Sequence, residues 1–382
     1  MVWLNTHPSM PLWFQQQHRR SLKLYLNNCA KGGRWLFPSA LPRRKSYSSC
    51  AGSKAILRWQ TLKNAASCRS LVNRDTHAEN CKRELTCVDL LYNFTMPVLR
   101  NLRVTLEMIK WEHSIFVLPF ALCGAMLASN GFPSVHTLIW IVIAMVSARS
   151  AAMAFNRVAD ASIDAANPRT QTRALPAGAL THGFVALFVV VSSAVFFLSA
   201  SQLNRLSLLL SPLALGLILL YSYTKRFTRW SHLVLGFAMG IAPSAAWIAV
   251  RGSLDRRILL LTAAVTFWGA GFDVLYACQD YDFDRRSGLH SIPRHFGIGR
   301  SLWIARGFHL VMVLLLASVI VAFALGKVAV VGVAIVAVLL LYEHSLVAVD
   351  DLSKLNAAFF TMNGVISVMF FVFVAGDLLW RH

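Results

Sequence analysis

The chain has 382 residues, of which 56% are hydrophobic and only 14% are charged, and its mean hydropathy is +0.55. Soluble globular proteins contain about 25% charged residues, so this composition excludes an ordinary soluble domain and indicates a polytopic helical membrane protein. A transmembrane β-barrel would need short alternating strands, whereas the apolar runs here are long and continuous. The formal net charge is +20, which makes Lys and Arg the residues to follow along the chain.

Residues 1–99 predict a basic leader ahead of the membrane body. No acidic residue occurs from Met1 to Arg74, while Arg and Lys recur among Ser, Asn and Gln. This composition is typical of a disordered segment or an over-extended translation start, with a transit peptide and a nucleic-acid-binding arm as the alternatives. No folded RNA or DNA module is visible, so no nucleic-acid partner is expected. We therefore divide the chain into the leader, 1–99, and a membrane domain, 100–382.

Nine apolar runs in the second part are each long enough to cross about 30 Å of hydrocarbon. They are predicted at residues 114–130, 135–155, 183–201, 206–222, 232–250, 258–277, 301–324, 328–346 and 357–379. Lys and Arg are concentrated in the loops after the second, fourth and sixth runs. By the positive-inside rule these loops and the N-terminus are expected to be cytoplasmic.

Two acidic segments lie where the second and sixth runs end, NRVADASID and DVLYACQDYDFD. At the spacing of an α-helix, residues four, seven or eleven positions apart return to one face. The residues that share a face in this way are Asn156, Asp160 and Asp164 in the first segment and Asp273, Asp280 and Asp284 in the second. Both stripes are therefore expected at the same membrane face, where two helices would aim them at one volume.

Carboxylates in apolar surroundings need a partner, because an unpaired buried charge is costly. Mg²⁺ prefers oxygen ligands and is typically held by one or two carboxylates together with substrate phosphates and water. We therefore predict Mg²⁺ as the cofactor and a diphosphate as part of the substrate, with the site stabilising the departing diphosphate. If the rest of the substrate is an isoprenoid, it can lie among apolar helices, and the allylic cation would be stabilised by Tyr276 and by Tyr221 or Tyr223.

Basic residues on the same face are candidates for the phosphate oxygens. Arg149 lies inside the second run, where a charge costs about 2.5 to 3.5 kcal/mol, so we expect it to contact the diphosphate or to pair with Asp160 rather than to face lipid. Arg157 and Lys225 are the first choices for the diphosphate. Arg294 is a further candidate, although loops of this kind also carry Arg and Lys for topology alone.

The two acidic segments resemble the signature regions NRxxDxxxD and DxxYxxxD of the UbiA superfamily of intramembrane prenyltransferases. The resemblance extends from about residue 103 to 379 and includes EHSIFVLPFAL in the first run and YSYTKRFTRWSHLVLG after the fourth. It favours bacterial members labelled 4-hydroxybenzoate polyprenyltransferase, a branch that also serves menaquinone formation. It implies an all-α polytopic fold of about nine helices around a central cavity, in a bacterial inner membrane. It also implies Mg²⁺-dependent transfer from a polyprenyl diphosphate to an aromatic acid, with 4-hydroxybenzoate as the first-choice acceptor, in quinone biosynthesis.

Site roles follow from matching the motifs position by position. The catalytic residues implied are Asp160, Asp164, Asp273, Tyr276 and Asp280. The metal ligands implied are Asn156, Asp160, Asp164, Asp273, Asp280 and Asp284. The substrate-binding residues expected are Asn156, Arg157, Arg149, Lys225, Tyr221 and Arg294. No motif position is missing, and no obligate protein partner is inferred.

Three alternatives to this function stay open at the level of sequence. The acceptor of the same chemistry can be a menaquinone precursor, a naphthoate-like acid, homogentisate, chlorophyllide or haem. A secondary transporter would use intramembrane acids to bind a coupling ion, but it would be expected to place them near the bilayer midplane. A membrane scaffold without catalysis is the third alternative, and the intact set of acids argues against it.

Overall fold

The computed structural model describes residues 99–110, 116–349, 352, 355 and 361–380, and these residues form helices joined by short loops. The predicted leader lies outside the described residues apart from its last position. No β-strand occurs in the described part of the chain.

The helices are numbered in chain order. They are α1, 99–109; α2, Leu118–Ser129; α3, Val135–Ala159; α4, Ala161–Ala166; α5, His182–Leu203; α6, Arg205–Thr224; α7, Ser231–Arg251; α8, Ile258–Ala277; α9, Tyr281–Ser287; α10, Ile292–Phe296; α11, Ile298–Ala322; α12, Lys327–Ser345; and α13, Asn363–Trp380. A single 3₁₀ turn, Cys278–Asp280, joins α8 to α9.

Eight of these helices are long and apolar enough to cross a membrane, and α2 is a shorter apolar helix of 12 residues. Each of the nine predicted runs overlaps one helix, so the prediction of an all-α polytopic fold is confirmed, and the chain is an integral multi-pass membrane protein. Positions 114–115 of the first run and 357–360 of the last lie outside the described residues. The predicted end of the second run is wrong by four residues, because α3 continues to Ala159 instead of ending at 155. Asn156 therefore lies within a regular helix.

The outward-facing side of the bundle is apolar. On α6, Leu209 and Leu213 are 72% and 62% exposed, and on α11, Leu310 and Leu314 are 61% and 59% exposed. Each pair is four residues apart and so forms a stripe along its helix. Large apolar stripes of this kind are normal where lipid replaces water as the surroundings.

Small residues bring the central helices α7 and α8 together. Gly236 and Gly240 of α7 lie so near α8 that an added Cβ would overlap the backbone of Thr266 and of Thr262. Close approach at glycines four positions apart is the usual way in which membrane helices gain packing contacts. Helix α7 also packs against α2 and α6, while α8 packs against α11. The large buried side chains Trp268 and Phe120 complete this core.

The ends of α3, α6 and α8 meet on one side of the bundle, which we call the motif face. The Lys225 amine, at the end of α6, contacts Asp160 at the end of α3. The backbone N–H of His290, after α9, donates to the Lys225 carbonyl at 2.8 Å. The two acidic segments are thus gathered at a single place, as the spacing of the runs predicts.

Candidate active site

A cavity of about 670 Å³ lies at the motif face between the two acidic segments. Its lining includes all six residues predicted to bind metal, Asn156, Asp160, Asp164, Asp273, Asp280 and Asp284, and also Tyr276, Arg149, Arg157, Lys225 and Tyr221. The structure therefore brings together every predicted site residue except Arg294 and Tyr223.

The first acidic segment keeps its helical spacing although its helix is interrupted. Helix α3 ends at Ala159, and Asp160 forms the junction to α4. The N–H of Asp160 still donates to the Asn156 carbonyl at 2.9 Å, and the N–H of Asp164 to the Asp160 carbonyl at 2.8 Å. Because these bonds join residues four apart, all three side chains stay on one face.

Asp160 is buried and paired with a lysine. Its side chain is 3% exposed, and its Oδ2 accepts from Lys225 Nζ at 2.6 Å and from Asn156 Nδ2 at 3.1 Å. The other oxygen, Oδ1, is buried and accepts no hydrogen bond from the described residues, with Arg226 Nη2 at 3.6 Å. Oδ1 is therefore an acceptor that a ligand can use.

Asp164 is paired with two arginines. Arg173 Nη1 donates to both carboxylate oxygens, at 2.7 and 2.8 Å, and Arg157 Nη1 lies 3.8 Å from Oδ2. The hydroxyl of Thr170 donates to the Asp164 carbonyl at 3.0 Å. Arg157 itself has a buried Nε without a partner among the described residues, so it has donor capacity left for a ligand.

Asp280 fastens the loop after α4 to the end of α8. Its Oδ1 accepts from Asn167 Nδ2 at 3.0 Å and from Arg169 Nε at 2.9 Å, while Arg169 Nη2 donates to Oδ2. Arg169 also donates to the Tyr276 hydroxyl at 3.0 Å and lies 5.2 Å from the centre of its ring. Burial lowers the pKa of the Arg169 guanidinium, but the hydrogen bond and the charge of Asp280 outweigh burial and raise that pKa above its ordinary value.

The remaining two carboxylates have no lysine or arginine partner within the described residues. Oδ2 of Asp273 lies 2.7 Å from Nδ1 of His232, and Oδ2 of Asp284 accepts from the Ser291 hydroxyl at 2.7 Å. His232 is 4% exposed and Ser291 is 6% exposed. Both acids line the same cavity as the other three.

The acids line one cavity without converging on one point. In the part of the chain that the structure describes, no three side chains of His, Cys, Asp or Glu stand close enough to hold a metal ion by themselves. Mg²⁺ needs only one or two carboxylates when substrate phosphates and water supply its other ligands. Asp160, with its unpartnered buried Oδ1, and Asp273, held by a histidine alone, meet that need. The carboxylate oxygens of this cavity therefore fit a hard cation such as Mg²⁺ that enters together with a phosphorylated substrate. Which carboxylates bind the ion stays a prediction.

A second cavity, of about 290 Å³, adjoins the first and is almost wholly apolar. Helices α3, α5, α6 and α7 provide most of its lining, which includes small side chains such as Ala214 and Ala245. The residues that line both cavities are Val117, Arg149, Met153, Asn156, Tyr221, Leu235 and Met239. A ligand with a charged head and an apolar tail can therefore occupy both cavities at once.

Arg149 stands at this boundary without an ion pair. It is the charged residue common to the two linings, and its Nε is buried with no partner among the described residues. No described carboxylate lies within 4.0 Å of its guanidinium, so the expectation that it pairs with Asp160 is wrong, because Lys225 holds that acid. The expectation of a substrate contact stays a prediction.

Two other expectations differ from the structure. The Arg294 guanidinium donates to the Leu289 carbonyl at 2.6 Å and is not among the cavity residues, so it braces the loop before α10 instead. Tyr223 is 39% exposed, lies beneath Arg226 and is likewise outside the cavity, whereas Tyr221, two residues earlier, points to the other side of α6 and lines it.

Several cavity residues were not singled out from the sequence. They are Asn167, Thr170, His232 and Ser291. Arg169 and Arg173 also line the cavity, and from the sequence they are, like Arg294, either ligand-binding residues or loop charges that serve topology alone. The segment NPRTQTRALPAG gave a signal for Asn167 and Thr170, because it follows the first motif directly. His232 lies in the segment YSYTKRFTRWSHLVLG, which is part of the family resemblance, but residue spacing in a single sequence assigns no role to His232 or to Ser291.

The comparison with protein families agrees with this geometry. The family described as "UbiA prenyltransferase family" matches residues 117–373. A protein of Aromatoleum aromaticum named 4-hydroxybenzoate octaprenyltransferase is 32% identical over 252 residues, which are 65% of this chain and 84% of that relative. One of the same name from Actinobacillus pleuropneumoniae is 35% identical over 164 residues, 43% of this chain and 56% of the relative. The matched region thus spans little more than half of that second relative.

Solved structures show the same fold. The apo structure of a UbiA homolog from Aeropyrum pernix K1 has a TM-score of 0.64 and 35% sequence identity, covering 70% of this chain and 98% of that one. The structure of a UbiA homolog from Archaeoglobus fulgidus bound to DMAPP and Mg²⁺ has a TM-score of 0.57 at 19% identity, covering 73% and 99%. At 19% identity the second likeness concerns the fold alone.

Proposed function

This chain belongs to the UbiA prenyltransferase family, and from that premise we propose that it transfers a polyprenyl group from polyprenyl diphosphate to an aromatic acid, with 4-hydroxybenzoate as the first-choice acceptor. The family resemblance stated from the two motifs is confirmed. The expected enzyme class, a transferase of alkyl groups other than methyl, is confirmed with it. The donor, the acceptor, the metal and the residue roles are our proposals.

One observation carries the proposal: the polar cavity at the motif face adjoins the apolar cavity. The first holds five aspartates and several cations, and the second has a single charged residue, Arg149. Such a pair of cavities suits a molecule whose diphosphate end is ionic and whose tail is hydrocarbon. Binding the tail in the second cavity places the bond between carbon and diphosphate near the shared lining, where Asn156 and Tyr221 lie.

Lys225, Arg157 and Arg173 are proposed to bind the diphosphate oxygens. All three line the polar cavity and already contact carboxylates, so they are fixed in place before a ligand enters. Preorganised cations stabilise charge that develops on a leaving group without rearranging during the reaction. Asp160, Asp273 and Asp280 are the proposed metal ligands, and bound Mg²⁺ would neutralise part of the diphosphate charge.

The proposed reaction replaces the allylic carbon–oxygen bond by a carbon–carbon bond to the acceptor ring and releases one proton from that ring. The allylic carbon–oxygen bond breaks, and its electron pair leaves with the diphosphate. A ring carbon beside the acceptor's hydroxyl then supplies the electron pair of the new carbon–carbon bond, and the proton on that carbon passes to water or a cavity carboxylate. Tyr221 and Tyr276 line the cavity, and an aromatic ring beside the developing cation would stabilise it.

Arg149 is proposed to bind the carboxylate of the acceptor. It has no internal ion pair, its Nε is buried without a partner among the described residues, and it lies at the boundary of the two cavities. An unpaired guanidinium in an apolar span is costly, so an anionic ligand is the expected compensation. Arg149 alone would therefore make the enzyme prefer an acceptor that carries a negative charge.

The experiment is transfer by purified protein in proteoliposomes supplied with labelled polyprenyl diphosphate and a panel of acceptors. We expect product with 4-hydroxybenzoate, dependent on Mg²⁺, and a loss on the order of 100-fold in Asp160→Ala and in Asp280→Ala. Asp282→Ala is the matched control, because Asp282 is an exposed acid two residues from Asp280 and is not among the cavity residues. A dihydroxynaphthoate in the panel tests the menaquinone-type alternative.

Full activity in both cavity variants, or transfer that persists in EDTA, would contradict the assignment of these residues. Equal losses in Asp282→Ala would show that any change in local charge has the same effect. A product formed only from the naphthoate would keep the chemistry and change the acceptor.

We also propose a bacterial inner membrane with the motif face on the cytoplasmic side. The proposal is supported by the arginines and lysines of the loops at this face, which by the positive-inside rule stay in the cytoplasm. Labelling of single cysteines placed in the loops 225–230 and 252–257 from outside intact cells tests it, since only the second should react.

A further inference from the structure

Two of the five cavity aspartates are held in a different way from the other three. Asp160, Asp164 and Asp280 each contact a lysine or an arginine. Asp273 and Asp284 are instead held by a histidine and a serine, and neither contacts a lysine or arginine of the described residues within 4.0 Å. The second acidic segment therefore contains the two carboxylates without a resident cation.

The hydrogen bonds of His232 define its tautomer. The backbone N–H of Ile292 donates to His232 Nε2 at 3.3 Å, which requires a lone pair on that nitrogen. The ring hydrogen is then on Nδ1, which donates to Asp273 Oδ2 at 2.7 Å. The imidazole thus links α7, α8 and the start of α10 through two directional bonds.

Ser291 extends the same link to Asp284. Its hydroxyl caps α10, accepting from the Arg294 N–H at 3.3 Å, and donates to Asp284 Oδ2. Ile292, the next residue, is fully buried. We call the His232 side chain, the Ser291 side chain and the Ile292 N–H the α10 bracket.

We infer that His232 is a positioning residue, which through the α10 bracket holds Asp273 for the metal-bound diphosphate. The inference rests on the proposed function and deepens it. A neutral donor orients the carboxylate but leaves its charge available to a divalent cation, whereas a lysine or arginine would compete with that cation. Partners that orient a ligating group in this way are typically worth about 10- to 100-fold in metal affinity or activity.

Two substitutions separate the bonds of His232. In His232→Asn the amide nitrogen can occupy the position of Nδ1, so the bond to Asp273 is kept and the bond to Ile292 is lost. In His232→Gln the amide can occupy the position of Nε2, so the bond to Ile292 is kept and the bond to Asp273 is lost. The two variants are thus matched controls for each other.

We expect His232→Gln to raise the Mg²⁺ concentration for half-maximal transfer by about 10-fold or more, and His232→Asn to stay within about threefold of wild type. The KM of the aromatic acceptor should not change in either. The second readout is the rise in melting temperature caused by Mn²⁺ with an unreactive prenyl thiodiphosphate, which should be reduced in His232→Gln and retained in His232→Asn. Without ligands the two should melt alike.

Equal metal requirements in the two variants, or a wild-type requirement in His232→Gln, would overturn the inference. If the histidine variants fail to fold, Ser291→Ala tests the α10 bracket through its bond to Asp284. A wild-type Mg²⁺ requirement in Ser291→Ala would also overturn the inference. If the wild type binds Mn²⁺ with the analogue but transfers nothing, the proposed function is rejected. The role of His232 is then decided by the Mn²⁺-induced rise in melting temperature in the two histidine variants. A wild type that does neither rejects both.

Discussion

Replacing Arg149 by methionine tests the proposed division of the cavities most directly. Methionine keeps an unbranched apolar stem but removes the guanidinium that lies at the boundary of the polar and apolar cavities. A hydrogen bond to a charged group contributes about 1.5 to 3 kcal/mol, which corresponds to about 10- to 150-fold in kcat/KM. We expect a loss in this range with 4-hydroxybenzoate. Since Arg149 forms no ion pair in the described structure, its removal leaves no buried carboxylate unpaired.

The assay compares two acceptors in two proteins. 4-Hydroxybenzamide has nearly the same shape as 4-hydroxybenzoate but no charge, so it should react equally with wild type and Arg149→Met. Arg286→Met is the matched control, because Arg286 is exposed and is not a cavity residue, and it should behave as wild type with both acceptors. The melting temperature of each protein without ligands shows whether folding is affected.

A different result would refute the assignment of Arg149 to the acceptor. If the guanidinium binds the diphosphate instead, the loss should be the same for the acid and the amide, and it should appear in the KM of the polyprenyl diphosphate. If Arg149 only stabilises the bundle, both acceptors and both substrates should be affected together, with a lower melting temperature.

Two further predictions concern stability. Arg173→Met removes the two hydrogen bonds to Asp164 and leaves Arg157 as a distant partner, so we expect the free energy of unfolding to fall by about 1 to 3 kcal/mol. Thermal unfolding in detergent measures this change. Arg103→Met is the control, because it removes an exposed ion pair and should change the free energy of unfolding by less than about 0.5 kcal/mol. Gly236→Ala would place a Cβ against the backbone of α8, so we expect the free energy of unfolding to fall by about 1 to 3 kcal/mol. Gly216→Ala is the control, because its Cβ would meet open space and should be tolerated. Equal melting temperatures in the two variants would contradict the packing described for α7.

Helix positions and the two acidic segments could be predicted because they depend on local periodicity. Residues four apart lie on one face whether a helix is perfect or, as at Asp160, slightly broken, since the hydrogen bonds to Asn156 and from Asp164 survive the junction. The apolar runs likewise follow from the thickness of the hydrocarbon layer. These features need no knowledge of which helices are neighbours.

The pairing of charges could not be predicted, because it depends on contacts between segments distant in sequence. Lys225 and Asp160 are 65 positions apart, and Arg169 and Asp280 are 111 apart. Asp377 gives a further example, since it appears as an isolated acid near the chain end. In the structure it is 2% exposed and accepts from the N–H groups of Gly326, at 2.7 Å, and Ala329, at 3.4 Å, at the start of α12.

The charge balance of the polar cavity explains why a metal is expected at all. Its lining contains six carboxylates, Glu107, Asp160, Asp164, Asp273, Asp280 and Asp284, and six cations, Lys110, Arg149, Arg157, Arg169, Arg173 and Lys225. The lining is therefore formally neutral, and a bare diphosphate would add uncompensated negative charge to a partly buried site, which is costly. A diphosphate that arrives with divalent cations adds little net charge, and the proposed ligands Asp160, Asp273 and Asp280 would take those cations. Of these three, Asp273 has no lysine or arginine partner in the described structure. The basic residues alone cannot offset the diphosphate, because most of them are already matched by acids of the same cavity.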